Sequence, residues 1–300
     1  MTEHLPEQEP CQPLLTGIIP GLSNEQYHAA PGVSNSGLGL VERSPAHYYA
    51  KYLDPNREPE EPTPAMRAGT ALHTAILEPD TFAVRYVVVP QDAPRRPSVT
   101  QLNAKNPSAD TVFAINWWAH FDAENAGREI ITADEYERFM RCAAAVHAHP
   151  TIAYLIGKGV AEQSVFAVDP ETGVIVKTRP DYLAKVDSAT VYLDFKSTDD
   201  ARPDAFARSC HNYGYNRQVA LGEDALEWSG VGRPDATFLI PFERDNPHGV
   251  MVYEPDADFR AIGRARYRRP LNTYAECLAT NRWPCYPETV TPLSLPKWAA

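Results

Sequence analysis

The part of this chain that most restricts its fold runs from Glu162 to Ser197. It reads EQSVFAVD, the turn PETG, VIVKTRPDYLAKV, the turn DSAT, and VYLDFKS. Val, Ile, Phe, Tyr and Thr fill the longer pieces, and Pro, Gly, Asp and Ser fill the breaks, so the text predicts three antiparallel strands joined by two short turns. Charges nonetheless occupy interior positions. Centring the second turn on Asp187 and Ser188 sets Lys185 opposite Thr190, Leu183 opposite Tyr192 and Asp181 opposite Asp194. Centring the first on Glu171 sets Glu162 opposite Pro180, one residue from Asp181. Facing residues share a side of the sheet with Cβ atoms roughly 4.5–5.5 Å apart, and strand alternation returns Lys196 to the side of Asp194.

Three carboxylates and one ammonium therefore converge at one end of a sheet. Two carboxylates about 5 Å apart repel by roughly 3 kcal/mol at an effective dielectric of 20. Such a pair persists if one group holds a proton or if a cation lies between them. With Lys196 offering one positive charge, a hard divalent ion with oxygen ligands fits the remainder, and magnesium, which keeps several waters and takes one or two carboxylates, fits best. On spacing alone the bland reading stays open, because an aspartate at a strand end is commonly a turn or cap residue and Asp-x-Lys recurs by chance.

Helical text surrounds this segment. VSNSGLGLVERSPAHYYAKYL predicts a helix capped by Ser34 or Ser36 and running to about Arg43, then a short one opening at Pro45 that carries Tyr48, Tyr49 and Tyr52. A helix over MRAGTALHTAILEP is ended by Pro79, and Val87 to about Asp110 reads as loop with Arg95 and Arg96 on it. TADEYERFMRCAAAVHAH is the clearest helix, with Thr132 as cap and Glu135 completing a capping box. Residues 1 to 20 are expected to be a poorly ordered tail and residues 21 to 300 a single domain.

Composition narrows the function classes. A chain of 300 residues with 43% hydrophobic content can bury a sizeable core. No run approaches the roughly 18 apolar residues of a membrane span, and the acidic, proline-rich start is unlike a signal peptide, so a cytoplasmic setting without membrane contact is expected. Five cysteines without C-x-x-C spacing write neither a disulfide framework nor a zinc knuckle. A net charge of -11 argues against indiscriminate coating of nucleic acid. A local basic groove remains compatible, since Arg260, Arg264 and Arg268 recur four apart and form one positive stripe on a helix, although a solvated helix face would show the same pattern.

RPD followed by DFK, with SNEQYHAAPGVSNSGL, RSPAHY, GTALHTAILEP, ITADE, AEQSVFAVDPETGVIVKTRPDYL, YLDFKST, YGYNRQ and LSLPKWA in order, resembles the exodeoxyribonuclease VIII (RecE)-like nucleases of the PD-(D/E)XK superfamily across nearly the whole chain. The resemblance implies an α/β fold, a central mixed β-sheet flanked by helices with a helical N-terminal region. It implies that His73, Asp181, Asp194 and the carbonyl of Phe195 bind the metal, and that Glu162 supports metal or water. It further implies that Lys196 activates the attacking water, and that Tyr215 and Gln218 contact the DNA backbone. Arg179 and Arg208 join the expected DNA contacts. Arg208, His211, Tyr215 and Gln218, three, four and three apart, would line one helix face. Relatives often carry a tyrosine where this chain has Gly222.

The activity so implied is 5′ to 3′ exonuclease action on linear double-stranded DNA, with Mg2+ or Mn2+, in phage-type recombination or DNA repair. A ring-like homo-oligomer, a tetramer, and a single-strand annealing protein are the implied partners. Rival readings are an iron–sulfur nuclease of the Cas4 or AddB type, a DNA-end-binding module without catalysis, and a phosphoesterase acting on small molecules. The first is disfavoured because Ser44 stands where those proteins place a cysteine.

Overall fold

The protein is described from a computed structural model covering residues 16–58 and 61–295. The chain order is β1 (Gly17–Ile19), α1 (Asn24–Ala29), α2 (Asn35–Arg43), α3 (Pro45–Tyr48), a π-helical turn (Tyr49–Leu53), α4 (Pro64–Leu77), α5 (Pro79–Arg85) and β2 (Tyr86–Val88). It continues with α6 (Val99–Leu102), α7 (Ala109–Glu124), β3 (Glu129–Ile131), α8 (Ala133–Ala148), α9 (Pro150–Leu155), β4 (Gly159–Ala161), β5 (Ser164–Val168), β6 (Ile175–Thr178), β7 (Tyr182–Val186) and β8 (Ala189–Thr198). It closes with α10 (Pro203–Tyr213), α11 (Tyr215–Trp228), β9 (Ala236–Glu243) and α12 (Ala257–Thr280).

Local chemistry sets these boundaries. Pro45, Pro64, Pro79, Pro150 and Pro203 each open a helix, where a missing N–H costs nothing because that donor has no partner in the helix anyway. Pro79 accordingly does more than end α4, since it starts α5. Ser34 caps α2 by accepting from the Gly37 N–H at 3.3 Å. At α8, Thr132 Oγ1 accepts from the Glu135 N–H at 3.1 Å while the Glu135 carboxylate accepts from the Thr132 N–H at 2.9 Å. The stretch expected as loop, Val87 to about Asp110, holds the short α6, and α7, over residues to which the sequence assigns no element, follows on a Ser108 cap. Its apolar residues surround the helix instead of forming a stripe, so no helical period marks it in the sequence.

The expected meander is divided between two sheets. β5 and β6 pair antiparallel, with β1 on the outer side of β5, in one three-stranded sheet. β7 and β8 pair antiparallel in a mixed four-stranded sheet of order β4-β7-β8-β9, in which β8 and β9 run parallel. The middle segment splits at Arg179-Pro180-Asp181, where Pro180 has no N–H to give a ladder. The partner segment bends alongside at Glu162-Gln163, and Glu162 has φ of 51°, in the left-handed region. Register survives the bend: Val165 faces Thr178 before it and Ala161 faces Tyr182 after it. One long hairpin is thus folded over from one sheet into the other.

Helices cover both faces of the four-stranded sheet. Val191, Leu193 and Phe195 of β8 pack with Leu72 and Ile76 of α4 and with Phe139, Cys142 and Val146 of α8. Burying each such side chain contributes roughly 1.5–3 kcal/mol. On the other side Tyr192 meets Val165, Leu183 and Leu226 of α11, and α11 packs on α12 and α2 through Leu38, Val41, Ala220, Leu221, Tyr267 and Leu271. The α12 arginines do not form a free basic stripe. Arg260 pairs with Glu223 at 2.9 Å, Arg264 with Asp224 at 3.0 Å and Arg268 with Asp169 at 2.8 Å, three acids that are themselves buried. At the end of the expected tail, β1 lies as an edge strand on β5; residues 1–15 of that tail lie outside the described residues.

Candidate functional site

The site lies where the long hairpin bends. The Glu162 N–H donates to the Asp181 carbonyl at 3.1 Å, so the two acids face each other, one residue from the register expected for Glu162 and Pro180. Above them α4 turns His73 away from the apolar positions Leu72 and Ile76, and its Nδ1 comes within 3.5 Å of Asp181 Oδ1. One ligand atom each from His73, Glu162 and Asp181 lies within 4.8 Å of the others. Asp181 is fixed from the far side by the Phe195 N–H, which donates to Oδ2 at 2.6 Å.

Asp194 is placed differently. Fully buried on β8, it accepts from Gln218 Nε2 at 2.8 Å through Oδ1, and Lys196 Nζ lies 2.5 Å from Oδ2. That ammonium is close enough for an ion pair, yet Oδ2 has no hydrogen bond of normal geometry among the described residues. Asp194, also expected to bind the metal, is not among those three residues, and Glu162, expected to support metal or water, is. The N–H of Phe195, whose carbonyl is the expected ligand, is the group that donates to Asp181.

Electrostatics test whether a cation suits this arrangement. Burial, and next the charge of Asp181, push Glu162 up to about 7. Asp181 is penalised by burial too, but the neighbouring His73, Lys196 and the Phe195 N–H hold it below its ordinary value. Burial raises Asp194 to about 6 against the pull of Lys196. His73 and Lys196 are both raised: burial opposes their charge, and the carboxylates outweigh it. The protein thus gathers three carboxylates, Glu162, Asp181 and Asp194, against the two cationic groups His73 and Lys196. Two carboxylates with one imidazole form an oxygen-rich donor set of the kind that holds a divalent ion. The residues present fit such an ion.

A family described as "PDDEXK-like domain of unknown function (DUF3799)" matches residues 34–294. The chain belongs to this PDDEXK-like family. The matched span includes Pro180-Asp181 and Asp194-Phe195-Lys196. The crystal structure of a "putative exonuclease" from Eubacterium rectale has the same fold, with a TM-score of 0.51 and 12% identity over 91% of this chain and 96% of that one. No curated protein matches. The central mixed sheet flanked by helices is the PD-(D/E)XK fold. Among the described residues no helix is long and apolar enough to cross a membrane.

Around the centre of this PDDEXK-like domain, the helix expected to carry Arg208, His211, Tyr215 and Gln218 is two helices. Gly214, with φ of 70°, ends α10 and begins α11, so the four residues do not form one stripe. Tyr215 and Gln218 stay at the site: Lys196 Nζ sits 4.8 Å from the Tyr215 ring centroid, and Gln218 holds Asp194. Arg208 is exposed on α10. Arg179, expected to meet DNA, spends its donors on the chain itself, with Nη2 at 2.7 Å from Ser164 Oγ and 3.1 Å from the Leu22 carbonyl. Its guanidinium also lies 4.2 Å from the Tyr27 ring centroid. With Lys177, whose ammonium donates to the carbonyls of Tyr27, His28 and Ala30, it fastens the N-terminal segment to the sheet.

Two features were not anticipated. Gly222 leaves room for the buried ring of Tyr192, because a Cβ there would lie 2.8 Å from Tyr192 Cε1. The position at which the resemblance leads one to expect a tyrosine is therefore crowded by a strand residue, a long-range contact that no local pattern announces. Tyr213 is 68% exposed next to Tyr215; the doubled tyrosine in YGY was its signal.

Proposed function

We propose that this protein is a divalent-metal-dependent deoxyribonuclease that acts as an exonuclease on linear double-stranded DNA. The observation that carries the reading is the meeting of His73, Glu162 and Asp181 at the bend of the hairpin, next to the buried Asp194–Lys196 pair. A magnesium or manganese ion held by His73, Glu162 and Asp181, with Asp194 beside it, supplies positive charge for a phosphate oxygen and lowers the pKa of a bound water. Lys196 keeps its charge at neutral pH and offers a fixed cation to negative charge developing on phosphate. Asp194 and the Tyr215 ring hold that ammonium in place. Gln218, by donating to Asp194, fixes the carboxylate that orients the lysine.

The family's PDDEXK-like character and the exonuclease description of the Eubacterium rectale protein support the same class. The 5′ to 3′ direction, a tetrameric ring, an annealing partner and a role in phage-type recombination rest on the resemblance of the sequence motifs to the RecE-like nucleases, and a cytoplasmic setting rests on the composition of the chain. The test uses end-labelled linear duplex and closed circular DNA with the wild type, Asp194→Asn and Lys196→Ala, in magnesium or chelator. Loss of linear DNA alone, abolished by either substitution and by chelation, is expected. Cutting of circles would make the enzyme an endonuclease, and intact linear DNA under every condition would overturn the proposal.

A further inference from the structure

Next to Lys196, where β8 ends, is a cavity of ≈ 320 Å³ that the chemistry above leaves unused. Ser197, Thr198 and Asp200 form one wall; Ser209, Tyr213 and Tyr215 form the other. Its volume falls within the roughly 300–1,000 Å³ of small-ligand sites. The charges at its rim cancel, since Asp200 is paired with Arg202 at 2.7 Å and Asp199 with Arg244. A phosphate would find no spare cation there. An uncharged, planar, polar-edged group would find hydroxyls and backbone on one side and aromatic rings on the other.

Four rings touch in series beside Lys196. Lys196 lies on the Tyr215 ring. Tyr213 stacks beside Tyr215 with centroids 5.7 Å apart and planes at 29°. Tyr215 is backed by Phe206, and Phe206 lies flat on Tyr253 at 5.6 Å and 14°. The Tyr253 hydroxyl is anchored to the Ala201 carbonyl at 2.7 Å. Gly214 lies between the two tyrosines: its left-handed backbone stops α10 and leaves Tyr213 beside Tyr215. The inner rings are supported by packing. Tyr213, by contrast, holds most of its ring in water.

We propose that Tyr213 is a stacking platform for an unpaired nucleobase at the end of the DNA strand, seated in this cavity. The inference rests on the nuclease reading and gives it a binding residue. A base held on Tyr213 anchors the strand end beside the site, with equal strength before and during cleavage. Every base has a π face, so this grip is tolerant of sequence.

The test compares wild type, Tyr213→Ala and Tyr213→Trp on a linear duplex whose short unpaired end carries 2-aminopurine as its last base. Turnover is measured in magnesium, and 2-aminopurine fluorescence in calcium, with the DNA uncut. Wild type and Tyr213→Trp are expected to quench the probe. Tyr213→Ala is expected not to quench it and to show a KM raised roughly 5- to 150-fold, the range that removal of a base-stacking aromatic produces, with kcat unchanged. Equal quenching and equal KM in Tyr213→Ala would overturn the platform and leave the nuclease standing. A fall in kcat with KM unchanged would also overturn it, by making Tyr213 a prop for Tyr215. If wild type cuts no DNA, the nuclease reading fails, and quenching that depends on Tyr213 would still support the base site.

Discussion

Replacing Gly222 by alanine sets two effects of known sign against each other. Within α11, alanine is favoured over glycine by about 0.8–1.0 kcal/mol. The new methyl, however, would stand 2.8 Å from Tyr192 Cε1, 3.0 Å from its hydroxyl oxygen and 3.3 Å from Cζ, where carbon atoms rest at roughly 3.5–4.0 Å. The ring cannot yield easily, because Tyr192 is fully buried against Val165, Leu183 and Leu226. Overpacking of this kind costs about 1–3 kcal/mol, so Gly222→Ala should destabilise by up to about 2 kcal/mol once the gain in helix preference is subtracted. In a Tyr192→Leu background the obstacle is gone, and the same substitution should stabilise by about 1 kcal/mol. Urea unfolding midpoints of the four proteins, at constant slope, measure the coupling. If Gly222→Ala raises the midpoint in the wild-type background, or shifts it equally in both backgrounds, the contact does not govern that position.

Lys196→Met should destabilise by about 3–5 kcal/mol, because it leaves Asp194 as a buried charge without its partner. Adding Asp194→Asn should recover much of that loss, and a double variant no more stable than Lys196→Met would refute the pairing. Arg179→Met should lower stability by about 1.5–3 kcal/mol, the worth of hydrogen bonds from a charged donor, and leave the salt dependence of DNA binding unchanged; a slope reduced by about 1 would instead make Arg179 a phosphate contact. Burial works against the Asp169 charge, but Arg268 and Thr172 override it and hold the carboxyl below its ordinary 3.8. Its contribution is therefore present above that pH and lost as pH falls below it. Melting temperatures of Asp169→Asn should fall less steeply than those of wild type below this point, and parallel curves would show that the pair does not titrate in that range.

The hairpin register around Asp187 and Ser188, the Ser34 cap and the capping box at Thr132 were legible in the sequence, because each depends on residues a few positions apart. The family fold could be recognised from the order of motifs. The split of the meander was harder to see. Pro180 marked the place, but only the second sheet explains why the chain bends there and does not simply end a strand. The fate of the α12 arginines depended on acids 37 to 99 residues away, and a stripe on one helix cannot reveal its partners. Tyr192 filling the space over Gly222 is hidden for the same reason.

The left-handed backbone at Glu162 has a consequence for descent. Glutamate is a poor choice for φ of 51°, a region that glycine, asparagine and aspartate enter more readily. A related chain released from any demand for chemistry would gain backbone comfort by exchanging Glu162 for glycine or asparagine, while the corner itself stayed intact. Such a replacement would mark a copy kept for its shape, and a glutamate retained at this uncomfortable corner would mark one still working.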